Sequence, residues 1–150
     1  MKNCKDHKKC KRIAIKSAKD LCDKKNLRLT EIRKKVFEII WKSHKPVKAY
    51  DILHEIKGIG SGKPPTVYRA LNFLLQNGLI HKLNSQQSYI GCEHPNSHKQ
   101  CYFLSCNKCG DITECCSIEM DNMFNIAAKE AKFNNTNIVC EISGICFSCT

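Results

Sequence analysis

"KPPTVYRALNFLLQNGLIHKL", residues 63–83, combines a proline pair, an apolar stripe at helical spacing, a glycine and a short β-like run. Pro64 and Pro65 suit a helix start, because the first N–H groups of a helix have no intrahelical partner to lose. Gly78 suits the C-terminal cap, where a left-handed residue is wanted. Val67, Leu71, Leu74 and Leu75 predict the buried stripe, which turns Tyr68, Arg69 and Asn72 outward. Beyond the cap, "LIHKL" and "QSYIG" around the polar turn "NSQ" predict a β-hairpin.

Upstream, "RIAIKSAKDLC" (12–22) places Ala14, Ala18, Leu21 and Cys22 at helical spacing. "LTEIRKKVFEIIWKS" (29–43) predicts a second helix, with Thr30 as N-cap and Ile32, Val36 and Ile40 on one stripe. Pro46 ends it, "AYDILHEIK" (49–57) begins a short third helix, and "GIGSGK" (58–63) is a glycine-rich turn. Helices, a turn, a further helix and a hairpin make a winged helix-turn-helix, whose helix after the turn enters the DNA major groove with its first residues at the base edges. Tyr68 and Arg69 fall in its first turns, where an arginine pairs bidentately with guanine. Lys63 and Thr66, at the start of the helix, complete the expected DNA-contacting set.

Charge agrees with that placement. Residues 1–50 carry seventeen basic and five acidic side chains, 51–91 four and two, and 92–150 four and seven. A basic first part facing a polyanion and a mildly acidic second part with another task are what this asymmetry implies. Residues 1–12, rich in lysine and carrying Cys4, His7 and Cys10, are expected to form a disordered basic arm rather than a third metal site. The winged helix is then expected over 13–90 and a second domain over 91–150. No stretch approaches the roughly 20 apolar residues of a membrane span, and no apolar run follows the basic start as in a secretory signal. A cytoplasmic setting without membrane contact is the expectation, and in a reducing compartment twelve cysteines point to metal or redox chemistry before disulfides.

After residue 91 the texture changes. "CYFLSC" and "DITEC" predict strands flanking "NKCG", "SIEMDNMFNIAAKEAKF" a helix with Met120, Phe124, Ala127 and Ala131 on one face, and "NIVCEIS" a further strand. The fold class is α+β. A sheet and one helix have little core of their own, so dimerisation is expected to supply the missing burial.

The cysteines divide by spacing. Cys106-x2-Cys109 and Cys146-x2-Cys149 can place four thiolates on a tetrahedron, the closed geometry of structural zinc. A thiol redox enzyme using one C-x2-C pair, or a zinc-stabilised adaptor without a sensing role, are the readings from other classes. Remaining are His81, Cys92, His94, His98, Cys101, Glu114, Cys115, Cys116 and Cys140, to which a second site of mixed ligands is open. Cys115 and Cys116 are adjacent on a strand and face opposite ways, so at most one serves a given site.

"KPPTVYRALNFLLQNGLIHKL", "SYIGC", C-x2-C-G and the terminal C-x2-C together resemble the ferric uptake regulator (Fur) superfamily, and "KPPTVYRAL" with "GLIHK" its zinc uptake regulator (Zur) branch. The resemblance spans roughly residues 20–149. It implies a non-enzymatic, homodimeric, zinc-dependent repressor of zinc-uptake genes that binds double-stranded operator DNA, with two zinc ions per protomer. By position, the structural zinc falls on Cys106, Cys109, Cys146 and Cys149. The regulatory zinc falls on His81, Cys92, a histidine of the following loop and Glu114. That loop is shorter than the family's before its second histidine, which makes His98 the expected ligand and His94 its rival. An iron- or peroxide-responsive regulator of the same superfamily is the alternative, disfavoured by the thiolate of Cys92 because such sites prefer nitrogen and oxygen ligands.

Overall fold

The computed structural model describes residues 6–57, 63–95, 101–134 and 138–150. Cys4, most of the glycine-rich turn and His98 lie outside the described residues. The chain forms two compact units, 1–96 and 97–150, so the division falls a few residues later than the expected 90/91 boundary.

In the first unit, α1 (His7–Lys24), α2 (Glu31–Ile40), β1 (Val47–Lys48), α3 (Ala49–Ile56), α4 (Pro64–Gln76), β2 (Ile80–Leu83) and β3 (Ser88–Gly91) follow in order. α1 buries Ala14, Ala18, Leu21 and Cys22, the residues its spacing predicts. It begins at His7, however, so the disordered arm expected over 1–12 is corrected for residues 7–12. The cause is capping and docking: the Asp6 carboxylate accepts from the Lys9 backbone N–H, and the His7 ring lies against the carbonyls of Trp41 and Lys42 at the end of α2. Both interactions satisfy groups that a helix end leaves without partners.

The core forms where α2, α3 and α4 meet the hairpin. Val36, Phe37, Ile40, Ile52, Ile56, Leu71, Leu74 and Leu79 are fully buried. Leu75 is only half-buried, and Ala70 takes its place on the inward stripe of α4. The Arg33 guanidinium of α2 stacks 3.6 Å above the Phe73 ring of α4. Pro64 opens α4 and Gly78, at φ 66°, follows its end as expected. The wing is a three-stranded sheet in the order β1-β3-β2. β1 was not evident in the sequence: two residues, Val47 and Lys48, pair with Tyr89 and Ser88 and give no periodic signal. Gly91 is set by close approach, because a Cβ there would overlap the Trp41 indole.

The second unit comprises β4 (Cys101–Cys106), β5 (Ile112–Cys116), α5 (Ile118–Glu130), β6 (Cys140–Gly144) and a 3-10 turn at Phe147–Cys149. The strand order is β5-β4-β6, with β4 antiparallel to β5 and parallel to β6. A parallel neighbour requires a crossover, and α5 is carried by it. Ser117 caps α5 by accepting from the Met120 N–H. No residue of α5 is fully buried within the chain, and Ile118, Met123 and Ile126 are more than half exposed.

Gly91→Ala is expected to displace the chain's single tryptophan and lower stability by about 1–3 kcal/mol, as overpacking of a filled site does. Urea unfolding followed by tryptophan emission reads both effects; an unchanged midpoint and spectrum would contradict the packing described.

Candidate metal centre and nucleic-acid surface

The second unit draws four sulfurs together. Cys106 ends β4, Cys109 lies in the turn after it, Cys146 precedes the final 3-10 turn and Cys149 ends it; their Sγ atoms all lie within 4.8 Å of one another. Cys109 Sγ and Cys146 Sγ are 3.8 Å apart. The local chain is shaped for this. Gly110 adopts φ 70°, which lets its N–H close back on the Cys106 carbonyl at 2.9 Å. The Asn107 N–H donates to the Gly144 carbonyl at 2.8 Å, and Lys108 Nζ donates to the Cys149 carbonyl at 2.7 Å. The terminal segment is thereby joined to the knuckle at backbone level as well as through sulfur.

The electrostatics are those of a cluster wanting a cation. The Cys146 backbone N–H donates to Cys106 Sγ at 3.3 Å, and this bond, with the amides of Cys109 and Lys108, lowers the Cys106 pKa to about 6. The Cys149 thiol donates to the neighbouring sulfurs of Cys146 and Cys109, which favours its protonated form and pushes Cys149 up to about 12. One thiolate forms readily and the last is resisted, so all four ionise together only with a positive ion between them. Four sulfurs at such spacing could hold tetrahedral zinc.

The residues expected at a second site are divided between the units. His81 sits on β2, opposite Ile90. Cys92 follows β3, and its N–H donates to the Leu79 carbonyl at 3.0 Å. Leu79 and His81 are two residues apart, so His81 and Cys92 share one face of the hairpin as diagonal neighbours. Cys92 is buried and His81 partly so. Glu114 lies on β5 of the second unit, opposite Phe103.

The remaining cysteines of that sheet separate by face, as alternation requires. Cys116 lies opposite Cys101, with Cα atoms 4.1 Å apart, and the two are joined as a disulfide. The general expectation of metal chemistry before disulfides is therefore corrected for this pair; direct opposition across the ladder, invisible in sequence spacing, brings the two sulfurs together. Cys115 points to the other face, in a row with Tyr102 and Cys140. The nearby Cys115 raises the Tyr102 phenol above its ordinary pKa.

On the first unit, Lys63, Tyr68 and Arg69 are exposed and Thr66 half-exposed along the first turns of α4. The buried Val67, Ala70, Leu71 and Leu74 hold the opposite face. No helix among the described residues is long and apolar enough to cross a membrane.

A helical unit with a hairpin wing and an exposed helix after the turn, followed by a small α/β unit carrying a four-thiol cluster, defines a winged-helix metalloregulator architecture. Residues 24–143 match the ferric uptake regulator family, and the chain belongs to it. It is 33% identical over 139 residues to the zinc uptake regulation protein of Escherichia coli (strain K12), covering 90% of this chain and 80% of that one. Among solved structures it is similar to a zinc uptake regulator complexed with zinc and DNA, at TM-score 0.85 and 30% identity over 93% of this chain and 94% of the other. It is likewise similar to holo XcZur, at TM-score 0.83 and 36% identity over 90% and 95% of the two chains.

Zinc uptake by the thiol cluster is expected to release fewer protons at pH 7.5 than its four sulfurs could supply, since Cys106 starts as a thiolate there. Lowering the pH through about 6 protonates Cys106 and adds to the release. Calorimetry in buffers of different ionisation enthalpy measures this; no proton release at either pH would exclude thiol ligation.

Proposed function

We propose that the chain is a zinc-responsive transcriptional repressor that binds operator DNA as a homodimer and controls zinc-uptake genes. One zinc is structural, on Cys106, Cys109, Cys146 and Cys149. A second is regulatory, on His81, Cys92, His98 and Glu114. The observation that carries this reading is the imidazole of His81 and the thiol of Cys92 on one face of the wing, at the end of a unit whose α4 presents Tyr68 and Arg69 outward. The relatives named above, a zinc uptake regulation protein and a zinc uptake regulator complexed with zinc and DNA, support it.

The mechanism is geometric. Zinc held by ligands from both units restricts the orientation of the DNA-binding unit relative to the dimer core. The two recognition helices are then spaced about one DNA turn apart, as dimeric helix-turn-helix proteins require. The exposed Ile118, Met123 and Ile126 of α5 support dimerisation, which covers apolar surface that one chain leaves open. The thiolate of Cys92 favours zinc over iron, which prefers imidazole and carboxylate. Phosphate contacts from the lysine-rich unit supply much of the affinity, so binding falls steeply with salt.

The test is a zinc titration of operator binding by fluorescence anisotropy. His81→Ala is expected to remove the zinc dependence while leaving the thiol cluster loaded; retention of the full dependence would sink the reading. Arg69→Ala is expected to weaken operator binding by about 1–3 kcal/mol even at saturating zinc and to relax specificity at one base position. An unchanged affinity and base preference would remove Arg69 from the interface.

A further inference from the structure

His7, Cys10 and His44, none of them a ligand assigned above, come together in the first unit, each offering one ligand atom within 4.8 Å of the others. His7 is the first residue of α1, Cys10 lies one turn later, and His44 lies in the turn between α2 and β1. His7 Nε2 is 3.0 Å from the Trp41 carbonyl and 2.9 Å from that of Lys42. Carbonyls only accept, so Nε2 carries the proton and Nδ1 is left with its lone pair. This is the arrangement of a metal-binding histidine, whose second nitrogen donates to a backbone carbonyl and so fixes ring and tautomer.

The Nδ1 lone pair faces His44 Nε2 at 3.1 Å. Two nitrogens of one tetrahedral zinc stand about 3.3 Å apart, given Zn–N bonds of about 2.0–2.1 Å. His44 Nδ1 is buried without a hydrogen-bond partner, so a direct bond between the rings leaves the far nitrogen unsatisfied, whichever tautomer it takes. Cys10 is a thiol rather than half of a disulfide and is half-buried at the same point. It also lines a cleft of about 280 Å³ with Trp41, Cys92, Glu93 and His94, which gives an ion a route in and room for water as fourth ligand.

We propose that His7, Cys10 and His44 form a further metal site, taking a zinc-class divalent cation on two imidazole nitrogens and one thiolate. Three protein ligands with an open position make an exchangeable site rather than a closed scaffold. On binding, the Cys10 thiol loses its proton to solvent and the ion gains two nitrogens and a sulfur, a ligand set whose softness suits zinc over magnesium or calcium. The ion joins the first turn of α1 to the turn after α2, so it orders the start of the lysine-rich helix at high zinc.

The test counts zinc in the full chain after equilibration with a weak competing chelator, for the parent, Cys10→Ser and His44→Gln. The same substitutions are repeated in the His81→Ala background, so that the count does not depend on the regulatory reading. Each is expected to hold one zinc equivalent fewer than its own background, with far-UV circular dichroism unchanged. In the parent, the last equivalent is expected to shift the ring resonances of His7 and His44, a readout that needs no variant. Zinc content equal to its own background in every Cys10→Ser and His44→Gln chain, with those resonances unmoved at saturation, would overturn the proposal and leave a histidine pair held by a hydrogen bond alone.

Discussion

Four sulfurs within 4.8 Å of one another are the constraint on which the second unit depends. Their negative charges repel if ionised together, and their protons crowd if not. The opposed shifts of Cys106 and Cys149 express both sides of this conflict. A cation held there would resolve it and in doing so would fasten the last residues to the turn after β4. Without that link the described residues of the unit include few buried apolar side chains, Phe103 and Ile112 among them, and a helix with none. A unit so lightly packed needs metal or a partner surface to be stable.

The first unit is held differently, by apolar packing, and its architecture was legible from sequence. α1, α2, α3 and α4 were readable because their apolar residues recur at helical spacing and prolines or glycines mark the ends. The wing was readable because its two longer strands are separated by a polar turn. The start of α1 was not, since a lysine-rich segment looks like solvent-facing chain until His7 finds carbonyls more than thirty residues away. Strand β1 was illegible for a similar reason: two residues acquire strand geometry from Ser88 and Tyr89, not from their own pattern. Leu75 and Ala70 exchanged places on the stripe because burial follows what packs against α4, which spacing alone does not report.

The sites divide in the same way. The C-x2-C pairs were visible because two ligands per knuckle are local in sequence. His81 and Cys92 were suggested by resemblance, and the hairpin register supplies a physical reason for pairing them. The Cys101–Cys116 disulfide had no sequence signature, and of the His7–Cys10–His44 group only His7 and Cys10 stood out in sequence, because the disulfide and His44 depend on which residues face one another across the fold. Cys115 and Cys116 did divide between faces as strand alternation demands.

If zinc and operator act on one equilibrium, each must strengthen the other by the same factor. The direct measurement is the zinc affinity of the regulatory site with and without saturating operator, compared with the operator affinity with and without zinc. The account predicts equal factors, each abolished by His81→Ala. Zinc affinity unmoved by operator, alongside intact zinc-dependent DNA binding in the His81→Ala chain, would contradict it.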